Sequence, residues 1–238
     1  MVNTTLIFAI ILGIMPSLIW LIFFLREDVR PEPKKMIIKV FLAGALISLL
    51  TAISQIYFQK ILDVFGFIQY TVVSFLILAT IEEAFKFLAA YASAGGSRYF
   101  DEPIDAMIYM VTASLGFAAA ENIFVVLDAT FNSGAAIGGI FGIIVFRFVG
   151  ATLLHALSSS IVGYFWAKDI LSVVHRPQFI IYGLLMASLL HGIFNYLILL
   201  FNAALIYPTV FLIIIALFVF WDFEKLKGFV QKSKLKGE

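Results

Sequence analysis

The sequence predicts an all-helical bundle that crosses a membrane about seven times, within a range of six to eight. Of the 238 residues, 63% are hydrophobic and 13% are charged, and the mean hydropathy is +1.06, whereas a soluble domain is about half apolar and a quarter charged. The apolar residues also form long uninterrupted runs, unlike the short alternating segments of a membrane barrel. A soluble domain, a disordered chain and a coiled coil are therefore excluded.

Seven apolar segments follow one another along the chain, and most have the ~20 residues that cross about 30 Å of hydrocarbon. No segment has the composition of a soluble domain, so we predict a single membrane-embedded domain over residues 1–238. The first five residues lack the basic stretch of a signal peptide, and the following run is too long for its core, so we expect the first segment to be retained. The segments cover residues 4–25, 36–58, 67–91, 104–128, 135–167, 179–201 and 203–221.

The fifth segment is longer than one crossing requires, and glycines cluster near its start. A segment of this kind is accommodated by tilt, by a kink or by a short re-entrant entry. Small residues also let two helix backbones approach closely in a membrane, so we expect these glycines to serve packing rather than chemistry. They are Gly134, Gly138, Gly139 and Gly142.

The distribution of basic residues supports an odd number of spans. With seven spans, the first, third and fifth loops share one side with the C-terminal tail, and twelve of the Lys and Arg residues fall on that side, against Lys60 alone on the other. Loops rich in Lys and Arg stay in the cytoplasm, which predicts an outside N-terminus and a cytoplasmic C-terminus in the cell membrane. Trp20, Trp166 and Trp221 lie at the predicted cytoplasmic ends, where an aromatic belt is expected.

Polar and ionisable residues lie in the middle of four consecutive segments, where each charge costs at least ~2.5–3.5 kcal/mol on insertion scales. The first and last segments carry no ionisable residue in their interiors, so the pattern indicates one buried site formed by four central helices. The net charge of +1 gives no basic field for nucleic acid. The residues are Glu82, Glu83 and Lys86 in the third segment, Glu121 and Asn122 in the fourth, Arg147 and His155 in the fifth, and His191 and Asn195 in the sixth.

Helical spacing places several of these side chains within reach of one another. Lys86 follows Glu82 by four residues and Glu83 by three, so it can pair with either carboxylate. His191 and Asn195 are also four residues apart and share one helix face. The depths of the motifs in their spans are compatible with a single cluster.

Carboxylates, imidazoles and an amide in one site fit the hydrolysis of an acyl bond by either of two routes. A glutamate can act as general base on water while imidazole and amide groups stabilise the oxyanion. Alternatively, Glu121, His155 and His191 can hold a divalent metal ion such as zinc, which lowers the pKa of its bound water. The absence of cysteine excludes a thiol nucleophile, and the motifs His-Glu-x-x-His, Gly-x-Ser-Gly and Gly-x-Gly-Asp of other membrane proteases are also missing.

The order of these motifs resembles that of the PrsW family of intramembrane proteases, within the wider group of CAAX prenyl proteases and bacteriocin-processing peptidases. The resemblance covers about residues 80–200, which we take as the predicted catalytic core. The resemblance rests on four motifs in the right order, each in its own span. They are Glu-Glu-Ala-Phe-Lys at 82–86, Phe-Ala-Ala-Ala-Glu-Asn at 117–122, Arg147 followed by His-Ala-Leu at 155–157, and His-Gly-Ile-Phe-Asn at 191–195.

The resemblance implies a prokaryotic membrane peptidase that cleaves a membrane-associated protein, for example an anti-sigma factor. It implies that Glu82 activates water together with Glu121, and that His191 and Asn195 stabilise the oxyanion. His155 is the histidine of the third motif. Glu83 is counted with these catalytic residues, and the resemblance implies that it sets charge and orientation together with Lys86. Supporting roles are predicted for Lys86, Arg147 and Asn122.

Two features of the motifs depart from the wider group and agree with the PrsW branch. Glu121 stands where the wider group has histidine, and Lys86 stands at a shorter spacing where it has arginine. These departures weaken a direct transfer of the prenyl-protease mechanism and leave a metal site open.

A proton- or cation-coupled transporter is the alternative function, because chains of Glu and His also form proton relays. Transporters of this kind show repeated halves with interrupted helices that meet at the site. The four motifs occur once each, which favours the peptidase. A protein that binds a membrane segment without cutting it is a third hypothesis, and the intact motif residues count against it.

Overall fold

The computed structural model describes residues 2–64, 71–134, 137–172, 174–201 and 206–236, and within these ranges every regular element is helical. The helix at Ile137–Arg147 continues through a π-helical turn into the helix at Leu153–Ile170, so the two form one long rod. The helices are α1 (Val2–Phe24), α2 (Lys34–Val64), α3 (Val72–Ala94), α4 (Asp105–Phe131), α5 (Ile137–Arg147), α6 (Leu153–Ile170), α7 (Gln178–Leu200) and α8 (Ile206–Lys236), with a 3-10 turn at Leu25–Glu27 and the π turn at Phe148–Thr152.

Six of the described helical segments are long and apolar enough to cross a membrane, the α5–α6 rod counting as one. The exception is α3, which is 23 residues long but carries Glu82, Glu83 and Lys86 in its middle. All three charged residues are buried inside the bundle. The predicted polytopic helical bundle is therefore confirmed, and the helix that fails the apolar criterion is the one with the most buried charge.

Helix ends differ from the predicted segments because hydropathy detects the apolar stretch and not the end of the helix. Helix α8 continues to Lys236, well beyond the predicted end at 221, through residues such as Lys, Leu and Glu that favour helix. Helix α3 begins where Thr71 and Ser74 form a capping box, in which each side chain accepts the backbone N–H of the other.

The centre of the bundle is α4, which packs against α1, α2 and α6. Residues 105–119 of α4 are buried without interruption, so this half of the helix is enclosed on all sides. Trp166 of α6 is 3% exposed and packs against Phe87, Tyr91 and Phe100. The expectation that Trp166 belongs to an interfacial belt is therefore wrong, because α6 lies inside the bundle, whereas Trp221 on α8 is 65% exposed.

Close approach between α2 and α4 depends on one glycine from each helix. A Cβ on Gly44 would lie 1.8 Å from the carbonyl oxygen of Ala113, and a Cβ on Gly116 would lie 1.9 Å from that of Phe41. Backbone therefore touches backbone at this crossing, as small residues allow in membrane helices.

Three of the four glycines expected to serve packing do not do so. Nothing lies within 4 Å of a Cβ built on Gly134, Gly138 or Gly142, because α5 lies at the edge of the bundle. Helix α5 also runs through Gly138 and Gly142 without a break, and the irregular turn of the rod comes later, at Phe148–Thr152.

An acidic cluster joins the loop after α1 to the start of α4. Carboxylate oxygens of Glu32, Asp101 and Asp105 lie within 4.8 Å of one another, and Glu32 accepts a hydrogen bond from the Tyr109 hydroxyl. Arg30 pairs with Asp101 at 3.0 Å and with Glu102 at 2.8 Å. One arginine thus faces several carboxylates.

Substitution of Gly116 by alanine is expected to destabilise the bundle. The new Cβ would meet a backbone oxygen, so α2 and α4 must separate, at a cost of about 1–3 kcal/mol or more. The matched control is Gly142→Ala, which meets nothing and favours helix by up to about 1 kcal/mol. Thermal unfolding in detergent should show a lower Tm for Gly116→Ala only, and equal Tm values would contradict the packing.

Glu32→Gln is expected to stabilise the protein at alkaline pH but not at pH 4. Burial, and then the charges of Asp28, Asp101 and Glu102, raise the pKa of Glu32, although the Tyr109 hydrogen bond opposes the shift. A raised pKa in the folded state means that stability is lost as the pH rises from about 4.5 through that pKa. The Tm of Glu32→Gln relative to the wild type should therefore increase with pH, and a difference independent of pH would refute this account.

Candidate active site

Helix α3 turns Glu82, Glu83 and Lys86 towards the interior of the bundle. The Nζ atom of Lys86 lies 2.8 Å from Glu83 Oε1 and 3.9 Å from Glu82 Oε2. Lys86 therefore pairs with Glu83, the carboxylate three residues before it, and leaves Glu82 at a longer distance.

Glu83 is fully buried and accepts hydrogen bonds from four side chains. Its donors are Lys86 at 2.8 Å, His191 Nδ1 at 2.8 Å, Ser158 at 2.9 Å and Ser159 at 3.0 Å. A buried charge is tolerated when it is paired and hydrogen-bonded in this way. Three of these donors meet at Oε1 and Ser159 reaches Oε2, so both oxygens of Glu83 are engaged inside the bundle and orient its neighbours.

The two serines were missed by the sequence analysis. Ser158 and Ser159 lie one turn after His155, in a run of three serines inside an apolar span. Hydroxyls in membrane helices commonly donate across helix interfaces. The run of serines was therefore a usable signal, although it does not indicate which carboxylate the serines bind.

Glu82 and His191 face each other with one free atom each. Because His191 Nδ1 is held by Glu83, its Nε2 is left to face Glu82 Oε2 at 3.5 Å. Glu82 Oε2 is buried and has no hydrogen-bond partner among the described residues. The other oxygen, Oε1, accepts from Gln55 Nε2 at 2.8 Å.

His155 joins the two halves of the site through its two ring nitrogens. Nδ1 lies 2.7 Å from Lys86 Nζ and 4.0 Å from Glu82 Oε2, and Nε2 lies 2.9 Å from Glu121 Oε2. An ammonium group only donates, so Nδ1 is the acceptor and Nε2 carries the proton that is donated to Glu121. The Phe117 ring packs beside both Lys86 and His155.

Arg147 binds the two polar residues of the second motif. Its Nη2 atom lies 3.1 Å from Glu121 Oε2, and its Nε donates to the amide oxygen of Asn122. The Asn122 amide donates in turn to Thr152 Oγ1 at 3.1 Å. Arg147 thus forms an ion pair with a carboxylate of the site.

The π turn at Phe148–Thr152 aligns Arg147 with His155. Eight residues of ideal α-helix would rotate these two side chains apart by about 80°. A π turn takes up one extra residue, which brings the offset to within about 20°. Both side chains can therefore reach the same atom, Glu121 Oε2, from the same face of the rod.

Trp20 of α1 is half-buried and supports this turn. Its indole N–H donates to the carbonyl of Phe148 at 2.9 Å, and its ring stacks on the Phe148 ring with centroids 5.2 Å apart. A carbonyl at the start of the widened turn is thereby satisfied by a side chain from another helix.

Asn195 lies one turn after His191 on α7 and is half-buried. Among the described residues, no hydrogen-bond partner of its amide is found. The structure therefore brings eight of the nine predicted residues into one connected network, to which Asn195 makes no hydrogen bond among the described residues.

The donor atoms that could hold a metal ion come from Glu82, His155 and His191, which lie within 4.8 Å of one another. This group contains Glu82, whereas the sequence analysis named Glu121. Two ligands of one zinc ion with bonds of about 2.0–2.2 Å in tetrahedral geometry are about 3.4 Å apart, close to the 3.5 Å between Glu82 Oε2 and His191 Nε2. His191 also has the carboxylate on its second nitrogen that metal-binding histidines commonly show. The residues therefore fit a metal ion, although Lys86 occupies Nδ1 of His155.

Comparison with known proteins gives the family. The description "PrsW family intramembrane metalloprotease" matches residues 32–221, most of the chain. The chain belongs to this family. Protease PrsW of Clostridioides difficile is 27% identical over 94% of this chain and 92% of its own length, and Protease PrsW of Bacillus subtilis is 28% identical over 90% and 92%. No solved structure matches.

Membership in the PrsW family decides between the predicted activities. The protein is a multi-pass membrane peptidase, and it hydrolyses a peptide bond of a protein substrate in the membrane. The transporter alternative is not supported.

Trp20→Phe is expected to lower stability and activity together. Phenylalanine keeps the stack on Phe148 but loses the N–H, and a lost hydrogen bond costs about 1 kcal/mol, or ~2–4 °C in Tm for a chain of this size. The widened turn can then relax and rotate Arg147 away from Glu121. The control is Trp221→Phe at an exposed position, and equal effects of the two substitutions on peptide cleavage would argue against a role for Trp20 in the site.

Proposed function

We propose that Glu82, His155 and His191 hold a divalent metal ion in this PrsW-family peptidase and that Glu121 exchanges protons with the attacking water and the leaving amine. The observation that carries the proposal is the buried oxygen Glu82 Oε2, which has no hydrogen-bond partner among the described residues and faces His191 Nε2 at 3.5 Å. An unpaired buried carboxylate oxygen costs free energy, and a cation would remove that cost.

Zinc is the metal that this donor set favours. Two imidazoles and one carboxylate are the three protein ligands of several zinc peptidases, which keep a fourth position open. When bound, such an ion acts as a Lewis acid on water and on the scissile carbonyl. His155 completes the set when Lys86 releases Nδ1, and Lys86 keeps its ion pair with Glu83.

Glu121 is the carboxylate best placed to accept a proton. Its side chain is 31% exposed, against 11% for Glu82 and none for Glu83, so it is the carboxylate of the site that lies nearest the surface of the bundle. Arg147 and the N–H of His155 both stabilise its charged form through Oε2, which leaves Oε1 for water. A carboxylate in this position can take a proton from water and return it to the leaving nitrogen.

Asn195 is proposed as a donor to the oxyanion. Its amide lies one turn from His191 and has no hydrogen-bond partner among the described residues, so its N–H groups remain available. Fixed amide donors aimed at a developing oxyanion lower the barrier of acyl transfer.

The remaining expectations on topology and substrate are part of the same proposal. The loops rich in Lys and Arg support a C-terminus in the cytoplasm and an N-terminus outside a prokaryotic plasma membrane. The substrate is a membrane-associated protein, and an anti-sigma factor is the class that the family resemblance implies. The chain forms one domain, whose catalytic core over 80–200 receives Gln55 from α2 and Trp20 from α1.

The metal content and the activity of three variants test the proposed roles of Glu82 and Glu121. Glu82→Ala and His191→Ala should lose both metal and cleavage, because each removes a ligand. Glu121→Gln should keep the metal and lose about 10²–10⁴ in kcat, the usual contribution of general acid–base catalysis. Plasma mass spectrometry of detergent-purified protein measures the metal content, and cleavage of a fluorogenic membrane peptide measures the activity.

His175→Ala serves as the control, because this histidine lies on a loop with its side chain 74% exposed. Loss of metal in Glu121→Gln would contradict this proposal and indicate that the ligands are Glu121, His155 and His191. Full activity of a wild type without metal would instead support direct activation of water by Glu82.

A further inference from the structure

Gln55 on α2 touches the site, although it lies outside all four motifs and outside the predicted core. Its side chain is half-buried, and its Nε2 atom lies 2.8 Å from Glu82 Oε1 and 3.4 Å from the carbonyl oxygen of Leu78. Leu78 and Glu82 are four residues apart, so both acceptors lie on one face of α3. One amide from α2 therefore spans one turn of α3.

These two acceptors fix the orientation of the Gln55 amide. An amide nitrogen carries two hydrogens, and each of them has an acceptor here. The flipped amide would place its oxygen against a carboxylate and a carbonyl, so the hydrogen-bond network excludes it. Gln55 thus donates to Glu82 from one defined position.

Donation to Oε1 decides which oxygen of Glu82 remains free. The free oxygen is Oε2, which faces His191 Nε2 at 3.5 Å and His155 Nδ1 at 4.0 Å. If Gln55 released Oε1, the carboxylate could rotate, and either oxygen could turn to Lys86, which is already 3.9 Å away. A neutral donor holds the carboxylate without neutralising its charge, which a lysine or arginine at this position would do.

We propose that Gln55 is a positioning residue, which holds Glu82 so that Oε2 is presented to the two histidines. The proposal rests on the metal site proposed above. Outer partners that orient metal ligands typically contribute 10–100-fold to metal affinity, and Gln55 is such a partner for Glu82, as Glu83 is for His191.

The test compares Gln55→Leu with Gln59→Leu in the full-length protein. Gln59 lies one turn further along α2, is half-buried, and makes no hydrogen bond to a described residue. Chelator competition with zinc should show a 10–100-fold weaker affinity for Gln55→Leu and a change of less than about two-fold for Gln59→Leu. Excess zinc should restore most of the kcat of Gln55→Leu. Unchanged zinc affinity, or an equal loss in both variants, overturns the proposal.

Gln55→Asn provides a second variant if leucine disturbs the fold. It keeps an amide between α2 and α3 but is one methylene shorter, so it should lose the contact with Glu82 and show the same weaker affinity at a Tm close to that of the wild type. Wild-type zinc affinity with Gln55→Asn overturns the proposal.

A wild type that binds no metal would refute the proposed metal site, and the role of Gln55 is then decided by kinetics. Positioning of Glu82 predicts at least a ten-fold lower kcat for Gln55→Asn, with a KM within about two-fold of the wild type on the same fluorogenic peptide. Equal kcat values for Gln55→Asn and the wild type overturn the positioning role of Gln55, whether or not the mechanism uses a metal ion.

Discussion

The buried carboxylate of Glu83 is the interaction on which the site depends. It binds a lysine from its own helix, two serines from α6 and a histidine from α7, so one charge connects three helices. Removing an ionised carboxylate from water costs several kcal/mol even after relaxation, and only a complete set of donors offsets this cost. The helix that carries Glu83 therefore has one rotation and one depth at which it is stable.

A continuous chain of hydrogen bonds and ion pairs connects Glu83 to the other polar residues of the site. Lys86 holds Nδ1 of His155, and His155 holds Glu121 through its other nitrogen. Arg147 binds Glu121 and Asn122, and Asn122 returns to the π turn at Thr152. In a medium of low dielectric such a network is favourable only when every member is satisfied. A shift of one residue in the α5–α6 rod would separate Arg147 from His155, which gives the π turn its physical reason.

The sequence predicted the helical class, the number of segments and the four helices that form the cluster, because apolar length and buried charge are both visible in one dimension. The sequence could not predict which side chains form hydrogen bonds with the buried carboxylates. Gln55 and Ser159 are ordinary polar residues in sequence, and their contacts with Glu82 and Glu83 depend on how α2 and α6 pack against α3. The glycines at the close helix crossing were also not predicted: Gly44 and Gly116 stand alone in their helices, whereas a Cβ on Gly134, Gly138 or Gly142 would meet nothing within 4 Å. Close backbone approach depends on the crossing point of two helices, which composition does not encode.

Glu82 and Glu83 show why two adjacent carboxylates are useful in this setting. Consecutive helical residues point about 100° apart, so one can face the serines and the other the open part of the cluster. If both were saturated with donors, no oxygen would be left for a cation. If both had free oxygens, two unpaired charges would be buried together, and ionisation of both would be opposed. Lys86 resolves this conflict by its distances, 2.8 Å to Glu83 and 3.9 Å to Glu82, because it donates a hydrogen bond to Glu83 and leaves Oε2 of Glu82 without a hydrogen-bond partner among the described residues.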